Sequence, residues 1–124
     1  MARAVSVIFA ATILASSFAA PVASGPFEDG VAAYGKQHYV TAMHLWRRLA
    51  NAGDPEAQAN LGVLYRDAQG VPSGGEVLAY MWFSLAAAGG NKKAAVERDT
   101  LAHTMSAAQI AEGKRRVSEW KPER

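Results

Sequence analysis

The sequence predicts an all-α fold, a short α-solenoid of three helix–turn–helix hairpins that follows an N-terminal signal segment. Two observations predict it. The stretch from Asp54 to Gly89 reads as one complete helix–turn–helix unit. The second is a repeat: Ala42, Leu45, Trp46, Leu49, Ala50 and Gly53 stand 36 residues before Leu78, Met81, Trp82, Leu85, Ala86 and Gly89, with four of the six identical and the other two apolar exchanges. Self-similarity at a period of roughly 34 to 47 residues marks a helical repeat array, in which stacked neighbours cover the apolar stripe that one hairpin leaves bare.

Composition bounds the rest. The chain has 124 residues, half of them apolar, and no cysteine. That suits one small domain, expected over residues 25–121, with residues 1–24 as a leader and 122–124 as a frayed tail. The absence of cysteine excludes a disulfide framework and a Cys-ligated zinc site. The formal charge is +2, too small a surplus to imply a nucleic-acid partner.

The leader has the layout of a secretory signal. Arg3 supplies the positive start, Ala4 to Phe18 is apolar or small, and Ser17-Phe18-Ala19 and Val22-Ala23-Ser24 offer small residues for cleavage. Cleavage after Ala19 or Ser24 is expected, which places the mature chain in a periplasm or outside the cell. The competing reading is an uncleaved anchor, since no charge falls between Arg3 and Glu28. The chain would then be a membrane-anchored accessory subunit, with Lys114-Arg115-Arg116 facing anionic headgroups.

Each helix has a local reason. The first is expected over Phe27 to Gly35, with Val31 and Tyr34 on its inner face, and Gly35 to His38 as a tight turn. The second, Tyr39 to Asn51, carries the Trp46 stripe, and Ala52-Gly53 closes it. Asp54 caps the third helix, and Pro55 sits where its missing N–H costs nothing. That helix runs to about Ala68, with Ala57, Leu61, Leu64 and Tyr65 on one face. Gln69 to Gly75 interrupts with three glycines and a proline. The fourth helix, from about Glu76 to Ala88, restarts the stripe with Leu78, Met81, Trp82, Leu85 and Ala86. Asn91 caps a fifth, to about Thr104, whose apolar positions Ala94, Leu101 and Ala102 are sparse and interrupted by Arg98. The last has the sharpest signature. Ser106-Ala-Ala-Gln109 fits a capping box, Met105 and Ile110 fit a hydrophobic staple, and Ile110, Gly113, Val117 and Trp120 share a face.

These motifs resemble the Sel-one-like repeat family, within the tetratricopeptide-like superfamily. Ala57, Leu61, Gly62 and Tyr65 match the first helix of the family pattern. Gly70-Val71 matches the loop, and Ala79, Trp82, Ala86, Ala87 and Gly90 match the second helix. The preceding unit keeps Trp46 and Ala50, with Gly53 one residue early, and Gly30, Ala33, Tyr34 and Tyr39 give it a tetratricopeptide-like start. One departure stands at Gly74-Gly75, where the family has an acidic cap for the second helix; Ser73 is the alternative cap. Small residues such as Gly62 and Ala86 suit close helix approach, Trp46 and Trp82 suit the gap between hairpins, and Gly53 and Gly89 suit a backbone conformation that other residues avoid.

No catalytic, cofactor or metal set is legible. His38, His44 and His103 have no partner at ligand spacing and read as surface residues. Ser84 and Ser106 have helix-local explanations, the glycines of 70–75 lack the lysine of a phosphate loop, and Glu28-Asp29 and Glu97/Asp99 read as solvated faces. Lys114-Arg115-Arg116 reads as charge that complements a helix C-terminus. Tyr80 and Phe83 have no counterpart in the first unit, and either pack on the next hairpin or form an exposed patch. An enzyme of the cell envelope is therefore the weaker expectation.

What the resemblance implies is a non-catalytic module of the bacterial cell envelope that binds a protein or peptide. In tetratricopeptide-like arrays the first helix of each hairpin lines the concave face. That points Glu56, Asn60, Val63, Arg66 and Asp67 toward the groove, joined by Lys92, Asp99 and His103 from the next unit. No cofactor is implied, and the oligomeric state is left open.

Overall fold

Asp54 starts the central helix as its sequence suggests. Its carboxylate Oδ1 accepts from the backbone N–H of Glu56 at 2.9 Å and of Ala57 at 3.2 Å, and Pro55 occupies the first helical position. The computed structural model describes residues 25–67 and 74–123. Six helices follow one another: α1 (Pro26–Gly35), α2 (Tyr39–Asn51), α3 (Pro55–Arg66), α4 (Gly75–Ala88), α5 (Lys92–Ala102) and α6 (Ala107–Glu119). The leader at 1–24, the Gly70-Val71 motif and Ser73 lie outside the described residues. No helix among the described residues is long and apolar enough to cross a membrane.

Packing is largely between sequence neighbours. α1 packs on α2, α2 on α3, α3 on α4 and α4 on α5, a sequential packing consistent with hairpins, but α6, expected to pair with α5, rests on α4 instead. This makes α4 the centre of the molecule. Its apolar residues surround the helix rather than forming one stripe, as a helix covered on several sides needs. Ala79, Tyr80, Met81, Trp82, Phe83 and Ala86 are all buried. Both repeat tryptophans are core residues, Trp46 at 3% exposure and Trp82 at 5%.

Close approaches explain the small residues. A Cβ on Gly62 of α3 would lie 2.5 Å from the Phe83 ring, and one on Gly113 of α6 would lie 2.6 Å from the Tyr80 ring. Phe83 therefore packs within its own hairpin, on α3, and Tyr80 packs on α6; both are buried and form no exposed patch. A Cβ on Gly30 of α1 would lie 2.3 Å from the Trp46 indole nitrogen, which donates to the Phe27 carbonyl at 3.1 Å. Because the indole sits over Gly30, the inner face of α1 is Phe27, Gly30, Ala33 and Tyr34. Val31, expected there, is 50% exposed.

One turn closes three helices. Gly53 and Gly90 both take φ +102. The next residue's N–H reaches back to the preceding helix, Asp54 to the Leu49 carbonyl at 3.0 Å and Asn91 to that of Ala86 at 2.9 Å. This is a Schellman-type closure that runs directly into the next N-cap. Gly89, expected to hold the unusual conformation, has φ −80; it is small because a Cβ there would meet the Pro55 ring at 2.7 Å. After α1 the same geometry uses Gln37, at φ 62, with the His38 N–H bonded to Ala33 at 2.8 Å.

The remaining ends divide between expected and unexpected. Ser106 and Gln109 form the reciprocal capping box, with Gln109 N–H donating to Ser106 Oγ at 3.1 Å and Ser106 N–H to Gln109 Oε1 at 2.9 Å. α4 starts without a side-chain cap, on Gly74 in the left-handed region. α5 buries only Ala94 and Leu101. The tail, expected to fray, turns back: the Glu123 N–H donates to the Asn51 carbonyl at 2.7 Å and so satisfies one free carbonyl at the end of α2. Gln58, a polar residue at 2% exposure, donates to the adjacent Ala50 carbonyl at 3.1 Å, which also accepts from the Gly53 N–H at 3.0 Å.

Candidate binding groove

α3 buries Ala57, Gln58, Leu61, Leu64 and Tyr65. Helical periodicity then turns Glu56, Ala59, Asn60, Val63 and Arg66 to the opposite side, where they line hollows on both flanks of the helix. Toward α5 lies a cleft of about 340 Å³, completed by Phe83, Asn91, Lys93, Ala94 and Glu97. Toward α1 lies a hollow of about 210 Å³, completed by Val31, Tyr34 and Trp46. Asn60 and Val63 belong to both, so the two form one groove crossing α3.

The two halves differ in chemistry. The α5 side is polar and bridged at both ends. Asn91 caps α5 with its side-chain oxygen, which accepts from the Ala94 N–H at 2.9 Å, while its amide nitrogen donates to Glu56 at 3.2 Å. At the other end Arg66 forms an ion pair with Glu97 and another with Asp67, the latter at 2.9 Å. The Arg66 guanidinium also lies 5.8 Å from the centre of the Phe83 ring, within cation–π range. The hydrogen bond to Asp67 chiefly raises its pKa above the ordinary arginine value, with the charges of Asp67 and Glu97 adding to this against the cost of partial burial. The α1 side is aromatic and aliphatic. Tyr34 lies between Trp46, at 5.9 Å between ring centres, and Tyr39, at 5.3 Å edge-on.

Of the residues expected in the groove, Glu56, Asn60, Val63 and Arg66 come together along α3. Asp67 lies just past the helix end, where it serves Arg66. Lys92, Asp99 and His103 are not among the lining residues. Asp99 pairs with its neighbour Arg98 at 3.0 Å, and His103 caps the exposed end of α5. The α5 wall is Lys93, Ala94 and Glu97 instead. One residue is about 100° of helix rotation, and the sparse apolar pattern of α5 did not fix that phase. Sequence reasoning also missed Phe83 as the floor; its only signal was Gly62 on the facing helix.

The other candidate groups are committed locally. Ser84 Oγ donates to the Tyr80 carbonyl at 2.7 Å. Arg115 is held between Glu112 and Glu119, and Arg116 bonds Glu112 at 3.0 Å, so two of the three charges in the Lys114–Arg116 run are matched within α6. The hydrogen bonds from Arg115 and then Arg116 pull the Glu112 carboxyl from its usual 4.5 to about 2. Among the described residues no group of three His, Cys, Asp or Glu side chains is placed to hold a metal ion. No family model, curated protein or solved structure matches the chain.

Proposed function

We propose that this chain is a Sel-one-like interaction module of the bacterial cell envelope, exported through its leader, that binds a protein or peptide without catalysing a reaction. The observation that supports this reading is the groove across α3. Its walls are made by Glu56, Asn60 and Arg66, which lie outside the core cluster, and by Val63, which packs at the edge of the core. A helix that turns three polar positions and one apolar one onto an open face presents a surface able to read a partner. The cleft is open to solvent along the helix face rather than enclosed, which suits a chain segment laid across it better than an engulfed small molecule.

The test is capture of partners from the exported fraction, comparing the native chain with an Asn60→Ala/Arg66→Ala double variant. Neither side chain belongs to the core cluster, so the variant keeps its helical fold, checked by circular dichroism. The expected outcome is loss of the captured proteins. Retention of every one would remove this surface from consideration.

A further inference from the structure

The two halves of the groove share a sill, and the groups left over on either side of it specify a ligand. Asn60 stands on the sill, half-buried, and its carboxamide makes no hydrogen bond among the described residues. A carboxamide offers a donor and an acceptor side by side, the pairing that a peptide group presents in return. On the α1 flank, Val31, Tyr34, Trp46 and Val63 offer apolar surface, and Val31 is half-exposed among the described residues. On the α5 flank four charged groups face the cleft. Glu56 is bonded by Asn91, and Arg66 and Glu97 satisfy each other. Lys93 alone among these four has no partner within the described residues.

From this we infer that the groove takes an extended peptide that carries an apolar side chain and an acidic side chain three residues apart. This rests on the interaction-module reading above and narrows it to a ligand class. The peptide backbone crosses α3 at Asn60. The apolar side chain fills the hollow over Trp46, and the carboxylate meets Lys93. Hollows on the two flanks of one helix lie roughly 10 Å apart. A polyproline-type segment returns a side chain to the same face every three residues, a rise of about 9 Å, so the spacing fits without bending. Either chain direction satisfies it.

The experiment is selection of random displayed peptides on the purified full chain, followed by affinity measurements on variants. Val31→Asn and Lys93→Glu alter exposed side chains and leave the fold intact. The expected result is enrichment of peptides with the apolar and acidic pair, weakened about tenfold or more by either change, the scale of one lost side-chain contact. Exchanging the peptide's acid for lysine restores binding to the Lys93→Glu variant. Peptides that need Asn60 and Arg66 but ignore Lys93→Glu overturn this ligand class while leaving the module reading standing. If enriched peptides survive the Asn60/Arg66 double variant, or none is enriched, both fall together.

Discussion

Gly62 and Gly35 are both helical glycines, and they differ in what a methyl group would meet. At Gly35 a Cβ has open space, whereas at Gly62 it would lie 2.5 Å from a Phe83 ring that is 1% exposed and has nowhere to move. Exchanging helical glycine for alanine gains up to about 1 kcal/mol, while forcing atoms into a packed core costs about 1–3 kcal/mol. Gly35→Ala is therefore expected to raise the thermal midpoint and Gly62→Ala to lower it, each by several degrees, since about 1 kcal/mol moves a domain of this size by roughly 4–8 °C. A melt of the two variants beside the native chain reads both signs. Charge on α6 gives a second residue-level expectation. The Glu112 carboxyl is held down at about 2 by Arg115 and Arg116. A carboxyl depressed in the folded state adds stability above its unfolded pKa. That contribution fades as pH falls from about 4.5 toward 2. An NMR titration of the Glu112 side chain should show a midpoint near 2, and Arg115→Ala should move it up toward the ordinary range.

At the scale of elements, the turn matters more than the helix. Three closures share one geometry, and two of them place glycine at the left-handed position while the first places Gln37 there, at φ 62. A non-glycine residue in that conformation costs roughly 1–2 kcal/mol. Gln37→Gly relieves this at an exposed position and should stabilise the α1–α2 hairpin by about 0.5–1 kcal/mol after the entropy cost of glycine, visible as a higher denaturant midpoint at unchanged slope. The same turns explain what was legible in advance. Asp54, Asn91 and Ser106 announced three helix starts, because a capping side chain is a local device that sequence displays directly. Trp46 and Trp82 announced the repeat and the core, because their spacing is a property of the chain alone. The inner face of α1 was read one position wrong, because the indole that displaces Val31 comes from another helix. The phase of α5 was illegible for a plainer reason: with only Ala94 and Leu101 buried, its apolar pattern is too thin to say which side faces the groove. Of the residues lining the groove, those of α3 were legible, the α5 face was rotated by one residue, and the α1 flank with Val31, Tyr34 and Trp46 was not placed there at all.

Across the whole molecule, stability should be graded rather than uniform. In a linear array each unit is held chiefly by its neighbours, and here the neighbours are unequal. α4 is packed by α3, α5 and α6, whereas α5 packs closely only on α4. α4 buries seven residues and α5 two, so opening α5 exposes far less apolar surface. Local opening free energies follow such differences. Amide hydrogen exchange should therefore be slowest in α3 and α4 and faster in α5, which the polar links Asn91–Glu56 and Arg66–Glu97 tie to α3. Surface pairs of this kind contribute little in water, about 0–1 kcal/mol each, and do not make α5 rigid. The groove then has one firm wall and one compliant wall. A ligand seated between them gains contacts with α5 only while α5 is folded, so binding must suppress the opening of α5 more than that of α3. Exchange measured with and without a bound peptide tests this directly: protection should rise mainly across Lys92–Ala102. Equal protection of α4 and α5 in the free protein would contradict the gradient, and a ligand that slows α3 alone would place its contacts away from the α5 wall.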